Sequence, residues 1–210
     1  LEIAGFPVMY TPYLSHPDPT VKRKSGFLTP SFGSSTSTGT FARTPYYYNI
    51  SPNSDATISP MFTADENVII AGEYRQKLQA GNLETRASIK RNTPKDERRY
   101  VAESGVSGIR GHLSTKGRFD YDKTWRWGFD VNRQSDATYM SRFGFSGDNT
   151  LPKITNALAS SAFVEGFKGR NYVHAESISF QNTLTGQEEK TIPVILPLVD
   201  VNHVSEPNKY

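Results

Sequence analysis

Two stretches in the middle of the chain decide the fold class. Residues 109–119 read IRGHLSTKGRF, and residues 125–132 read WRWGFDVN. In the first stretch Ile109, Leu113 and Phe119 occupy odd positions, while the even positions carry Arg, His, Ser and Lys side chains. An alternation with a period of two places successive side chains on opposite faces of a β-sheet. The pattern therefore predicts β-strands with one apolar and one polar face.

The same alternation continues on both sides of these stretches. It is regular in residues 42–50, 56–62, 68–78 and 83–90, weaker in 157–167 and 172–180, and least regular in 191–201. The chain is also rich in turn formers and aromatic residues, with 16 Gly, 13 Pro, 11 Tyr and 12 Phe. Strands favour aromatic residues, and Gly and Pro mark the turns between them. We therefore predict an all-β fold of antiparallel up-and-down strands.

The predicted connections differ in length on the two sides of the sheet. Those at 51–54, 79–82 and 168–171 are short, whereas those at 93–105 and 135–155 are long. Short turns on one side, long loops on the other and strands of about 9–11 residues are typical of a transmembrane β-barrel. The charges of the polar faces would then line a hydrated lumen. A soluble antiparallel sheet with a solvated polar face is the alternative.

Composition excludes several other classes. The 210 residues carry a net charge of +3, which is too small to indicate a nucleic-acid partner. No run approaches the ~18 apolar residues of a membrane-spanning helix. There are no cysteines, so this segment has neither disulfides nor Cys-based zinc sites.

No catalytic motif is present in the sequence. The four histidines, His16, His112, His174 and His203, show no metal-ligand spacing, and no G-x-S-x-G motif occurs. Asp120 and Asp122 fall in a predicted turn, where an Asp side chain commonly caps backbone N–H groups. We therefore expect no enzymatic activity, no metal and no cofactor.

The N-terminal third of the chain carries a family signature. Residues 7–13 read PVMYTPY, residues 23–30 read RKSGFLTP and residues 45–60 read PYYYNISPNSDATISP. These motifs, in this order, closely resemble the LptD family of LPS-assembly proteins. The clear resemblance covers about the first 80 residues, and residues 135–139 resemble the S-D-x-x-Y opening of a family loop.

The resemblance implies a segment of a large transmembrane outer-membrane β-barrel. Residues 1–20 would form the end of a periplasmic β-jellyroll domain and a linker, and residues 21–210 the first nine or ten barrel strands. The protein would lie in the cell outer membrane, with a periplasmic N-terminal part. It would insert lipopolysaccharide into the outer leaflet through a lateral gate. The implied partners are lipopolysaccharide, an LptE-like lipoprotein plug, LptA-like periplasmic bridge proteins and outer-membrane lipid, without nucleic acid.

Two prolines are the predicted gate residues. Pro30 and Pro45, 15 residues apart, match the family's pair of strand prolines beside the lateral gate. Proline has no N–H and removes a hydrogen bond from a β-ladder. The alternative is that both prolines merely lie at bulges or strand ends, without a role in gating. Lys22, Arg23 and Lys24 precede the first predicted barrel strand, where they would attract lipid phosphates at the periplasmic entrance or form an ordinary basic linker. The alternative functions are a porin-like passive channel and a soluble β-sandwich interaction domain.

Overall fold

The protein is described by a computed structural model that covers residues 2–3, 6–7, 23–35, 38–92, 108–143, 157–183 and 194–205. Strands β1 (Glu2–Ile3) and β2 (Phe6–Pro7) pair with each other as a small antiparallel sheet. All the other described strands belong to one sheet: β3 (Gly26–Phe27), β4 (Ser31–Ser35), β5 (Gly39–Arg43), β6 (Tyr46–Ser51), β7 (Ser54–Thr63), β8 (Ile69–Leu78), β9 (Gly81–Arg91), β10 (Ile109–Asp120), β11 (Trp125–Gln134), β12 (Ala157–Lys168), β13 (Asn171–Asn182) and β14 (Ile195–Asn202).

The strands of this sheet follow one another in chain order, and every neighbouring pair is antiparallel. The sheet is open within the described residues, with β14 at one edge and β3 and β4 at the other. The predicted all-β, up-and-down architecture is therefore confirmed. The least regular predicted strand, at 191–201, is found as β14.

The short predicted connections are tight turns. At the β10–β11 turn, the Asp122 carboxylate accepts hydrogen bonds from the backbone N–H groups of Thr124 and Trp125, each at 2.7 Å. The predicted capping role of this aspartate is confirmed. At the β12–β13 turn, Gly169 has a φ of +63°, a conformation that favours glycine. The long predicted connection at 93–105 lies outside the described residues, as does the part of 135–155 beyond Phe143.

The two faces of the sheet differ sharply in chemistry. Large apolar side chains stand exposed on one face, including Ile58, Ile70, Ile89, Leu113, Trp127 and Val164. The opposite face, called the polar face below, carries networks of charged side chains. This arrangement is the reverse of a soluble sheet, in which the apolar face would be covered by a core.

A short helix covers part of the polar face. Helix α1 (Tyr139–Arg142) follows β11 and packs near β10, at the long-loop end of the strands. Its residues join the buried cluster of the described chain, which consists of Met61, Ile69, Tyr139, Met140, Phe143 and Leu158. The sequence analysis did not predict this helix, because four residues are too few for a helical period. No helix in the described ranges is long and apolar enough to cross a membrane.

Candidate functional site

The first two long strands of the sheet are each broken in the middle, and the predicted gate prolines lie at the breaks. Strands β3 and β4 are separated by residues 28–30, and β5 and β6 by residues 44–45. Pro30 is exposed and Pro45 is half-buried. The two breaks lie side by side, because β3 pairs with β6 and β4 pairs with β5.

The pairing register changes across the breaks. On one side Phe27 lies opposite Tyr46, and on the other Ser31 lies opposite Arg43. Three residues of the edge strand therefore face two residues of its neighbour, which is the arrangement of a β-bulge. A bulge leaves one residue without a ladder partner, so the edge strand is more weakly paired here than elsewhere.

Hydrogen bonds at the breaks are single where a regular ladder would have two. The Leu28 N–H donates to the Pro45 carbonyl at 2.8 Å, and the Thr44 N–H donates to the Pro60 carbonyl at 3.2 Å. In an antiparallel sheet such pairs normally exchange two bonds. Neither proline has an N–H with which to return the second bond.

Pro60 was missed as a member of this set by the sequence analysis. It lies within β7, opposite Ile70 of β8, and 15 residues after Pro45. The signal was present in the printed sequence, since Pro30, Pro45 and Pro60 are equally spaced. Only the register, which sets Thr44 against Pro60, reveals that this proline extends the line of single hydrogen bonds into a third strand.

The predicted basic entrance segment is tied to the sheet. Arg23 contacts the Asp55 carboxylate at 3.1 Å, and the other oxygen of that carboxylate accepts from Arg75 at 2.8 Å. The Asn49 N–H donates to the Ser25 Oγ at 2.9 Å. Lys24 is exposed, and Lys22 lies outside the described residues. The Arg23 charge is therefore partly compensated, while Lys24 faces solvent.

Farther along the sheet, charges on the polar face neutralise one another. Glu165 accepts from Arg118 at 2.9 Å and from Arg126 at 3.3 Å. Glu84 contacts Arg86, and it contacts Lys116 at 3.2 Å. Such pairing allows a dense set of charges to line an enclosed surface with little net repulsion.

The long-loop end of the polar face is closed by buried ion pairs. The Arg110 guanidinium binds the Asp136 carboxylate with both a 2.8 Å and a 2.7 Å hydrogen bond, and both side chains are at most 1% exposed. Arg110 also donates to the Thr138 Oγ1 at 2.9 Å. Nearby, Lys90 pairs with Glu66, and these side chains are at most 2% exposed. The Arg110 contacts fix residues 136–138 against β10, and a 2.8 Å contact between the Ser88 Oγ and the Tyr139 Oη ties α1 to β9.

The ionisation of this region follows from its burial. Burial raises the pKa of Asp136, but hydrogen bonds from Arg110, Thr138 and Ser135 outweigh it, so that the pKa lies below its ordinary value of 3.8. Burial raises the pKa of Tyr139 to about 12. Asp136 is therefore a carboxylate and Tyr139 a neutral phenol at neutral pH.

His112 lies beside the same segment and is linked to it through Ser88. Its Nδ1 lies 2.5 Å from the Ser88 Oγ, which in turn lies 2.8 Å from the Tyr139 Oη. The chain of contacts joins two strands to α1. In the ranges that the structure describes, no group of three His, Asp or Glu side chains is placed to hold a metal ion.

Comparisons with known proteins agree with this geometry. The family model described as "LptD: LPS transport system D" matches residues 108–209, the half of the chain in which the sequence motifs are loosest. The LPS-assembly protein LptD of Pseudomonas aeruginosa (strain LESB58) is 34% identical over 140 residues, which are 67% of this chain and 15% of that protein. The chain belongs to the LptD family.

Two further relatives show a match over nearly the whole chain and a closer match over a shorter part of it. LPS-assembly protein LptD of Actinobacillus pleuropneumoniae serotype 5b (strain L20) is 29% identical over 214 residues, covering 98% of this chain and 25% of that protein. LptD of Pseudomonas entomophila (strain L48) is 47% identical over 75 residues, 36% of this chain and 8% of that protein. The chain thus spans a quarter or less of the family members it matches.

Proposed function

We propose that this chain is part of an outer-membrane β-barrel that inserts lipopolysaccharide into the outer leaflet. The segment supplies the first strands of the barrel, including one side of a lateral gate at Pro30 and Pro45. Membership of the LptD family and the exposed apolar face support this assignment. The proposal requires binding and movement of a lipid, without a catalytic step or a cofactor.

The observation that carries the proposal is the pair of adjacent breaks at the sheet edge. A closed barrel has no unpaired edge, and every lost ladder bond in lipid leaves a polar group unsatisfied. The breaks at 28–30 and 44–45 concentrate such losses in the first two long strands. If the barrel closes against β3 and β4, its weakest seam lies there.

The two faces of the sheet suit the two parts of a glycolipid. The polar face, with its paired charges, offers a hydrated surface for sugars and phosphates. The apolar face contacts the hydrocarbon of the membrane. When the seam between the first and last strands opens, acyl chains would move sideways into the lipid while the sugars stay in the lumen.

The entrance and the partners follow from the same proposal. Lys22, Arg23 and Lys24 lie before the first break and would meet lipid phosphates arriving from the periplasm. The proposed partners are lipopolysaccharide, an LptE-like lipoprotein plug and LptA-like bridge proteins. The proposed location is the cell outer membrane, with residues 1–20 as the end of a periplasmic β-jellyroll domain and a linker, and residues 21–210 as the first nine or ten strands of the barrel.

Site-specific photocrosslinking in the full-length protein in cells tests the gate. A photoreactive residue replaces Pro30, Pro45 or, as the control, Val164, which is exposed on the apolar face of β12 and lies far from both prolines. We expect lipopolysaccharide adducts at both prolines and few at Val164. No adduct at either proline in a correctly inserted barrel would overturn the gate, and a stable open conductance in that protein would favour a passive channel.

A second test restores the missing donor. Pro45→Ala provides an N–H opposite the Leu28 carbonyl, and one net hydrogen bond contributes about 0.5–1.5 kcal/mol. We expect up to about a tenfold decrease in lipopolysaccharide delivery to the cell surface, because opening the seam becomes less favourable. Pro52→Ala, in the exposed turn between β6 and β7, is the matched control. Equal delivery by the two variants, at equal barrel abundance, would contradict the gating role.

A further inference from the structure

The apolar face carries a groove outside the proposed gate. The groove has a volume of about 860 Å³ and crosses β7 to β10, reaching β11. Its floor is formed by the small residues Gly72, Ala87 and Gly111, and its walls by larger apolar residues including Ile70, Ile89 and Leu113. In a barrel this face meets the membrane, so the groove is open to lipid.

One row of directly opposed residues runs through the groove. Ile58 lies opposite Gly72, Gly72 opposite Ala87, Ala87 opposite Leu113, and Leu113 opposite Arg133. Directly opposed residues share a face, so Arg133 stands at the β11 end of the apolar groove. Three strand spacings of about 4.8 Å place it roughly 14 Å from Gly72.

Arg133 differs from the arginines of the polar face in its partners. Its guanidinium donates to the Ser160 Oγ at 2.8 Å, to the Ser179 Oγ at 2.6 Å and to the Asn132 carbonyl at 3.1 Å. All three acceptors are neutral, and no carboxylate of the described residues lies within ion-pair distance of Arg133. The positive charge is oriented by hydroxyl groups but is not compensated.

The position of Arg133 along its strand suits a headgroup contact. It is the next-to-last residue of β11, at the long-loop end, and it lies level with Leu113 in the row that crosses the groove. An arginine on the lipid face is costly at the bilayer midplane and costs little near the interface. A guanidinium also binds phosphate oxygens in a bidentate geometry.

We propose that this groove is a binding site for one lipopolysaccharide molecule, with an acyl chain in the groove and a lipid phosphate on Arg133. The inference rests on the proposed function, because the long loops of an outer-membrane barrel lie on the extracellular side and so place the long-loop ends of the strands at the outer leaflet. The site lies on the outer wall of the barrel, several strands from the gate. It would hold lipid that already resides in the leaflet.

A photoreactive residue at Leu113 of the full-length protein in cells tests the site. We expect lipopolysaccharide adducts at Leu113, and a decrease of about tenfold or more in Arg133→Gln, since hydrogen bonds to a charged group are among the stronger ones in proteins. Arg133→Lys should retain most of the adduct because it retains the charge. Lys168→Gln, which removes an exposed cation at the short-turn end of β12, should change nothing.

A groove-filling variant tests the site independently of Arg133. A Cβ added at Gly72 meets nothing nearer than the Thr57 carbonyl at 3.9 Å, so Gly72→Leu adds its side chain into the groove without a backbone clash at Cβ. We expect it to lower the Leu113 adduct as much as Arg133→Gln does. Ala175→Leu, which also creates a leucine on the apolar face, in β13 opposite Val164, is the control. Variants are compared only in barrels that assemble to the same level.

The outcomes separate this inference from the proposed function. Adducts at Pro30 and Pro45 without adducts at Leu113 would overturn the groove site alone. Phospholipid adducts at Leu113 in place of lipopolysaccharide would also overturn it. Adducts at none of the three positions would remove the proposed function together with the site. Adducts at Leu113 that are insensitive to both Arg133→Gln and Gly72→Leu would reduce the groove to ordinary lipid contact.

Discussion

Ile58→Arg is expected to destabilise the folded barrel by about 2–4 kcal/mol, because the charge enters the hydrocarbon near the middle of a membrane strand. Ile58 is 52% exposed in the middle of β7, on the apolar face. On a soluble sheet the same substitution at an exposed position would stay within about ±0.5 kcal/mol. The measurement is the denaturant dependence of unfolding of the full-length protein in lipid vesicles.

The neighbouring residue provides a matched control for this substitution. Thr57 is adjacent in β7 and lies on the polar face, opposite Glu73. Thr57→Arg places the same charge beside a carboxylate, so we expect a much smaller effect. Equal stabilities for the two variants would contradict a membrane-facing apolar side and would restore the soluble-sandwich interpretation.

Breaking the Arg110–Asp136 pair is expected to have an effect of similar size. Asp136→Ala leaves a guanidinium buried without its main partner, which typically costs about 3–5 kcal/mol. Because the pair fixes Asp136 against β10, we expect the segment at 135–143 to detach before the sheet unfolds. Limited proteolysis of the intact protein, with cleavage mapped to residues 135–143, measures the release.

Two comparisons test whether the charge itself matters. The double variant Arg110→Met with Asp136→Leu removes both charges and should recover much of the protection, since a buried pair can be replaced by apolar residues at little cost. Asp120→Ala breaks a pair with Arg126 that is largely exposed, and it should alter cleavage little. Rapid cleavage of the double variant, equal to that of Asp136→Ala, would show that shape and not charge holds the segment.

The same pair predicts a pH dependence. The pKa of Asp136 is lower in the folded protein than its ordinary value of 3.8, so the folded state favours the ionised form. The ionised Asp136 carboxylate therefore stabilises the folded state fully above pH 3.8, and this stabilisation is lost as the pH falls through the lower pKa of the folded protein. We expect protease protection of residues 135–143 to be constant from neutral pH down to about pH 5 and to disappear only in stronger acid. Protection that is lost near pH 6 would point to another group.

The strands were predictable because each one faces two different environments. The alternation in residues 109–119 and 125–132 requires only local sequence, and β10 and β11 follow it. Helix α1 was not predictable in this way, because its four residues are held by contacts with Met61 and Ile69, which are about 70–80 positions earlier in the chain. The order of the motifs indicated the family, whereas the pairing register of the strands was known only from the structure.

The candidate sites likewise divide into residues that local sequence identifies and residues that only the strand pairing identifies. Pro30 and Pro45 were identified from sequence, since a proline in a strand is informative by itself. Pro60 and Arg133 were not, because their meaning depends on which residue lies opposite: Thr44 for the proline and Leu113 for the arginine. Pairing across a sheet is a non-local property that a single sequence does not display.

The breaks at Pro30 and Pro45 also divide the edge of the sheet into units that differ in local stability. The edge strand consists of two short pieces, with two paired residues in β3 and five in β4. Each piece is held by its own few hydrogen bonds, so we expect one piece to fray while the other stays paired. Detaching a short piece costs less free energy than detaching a whole long strand, so we expect partly open states to be more populated at this edge than elsewhere. The remaining strands, paired continuously from β7 to β10, keep the wall intact.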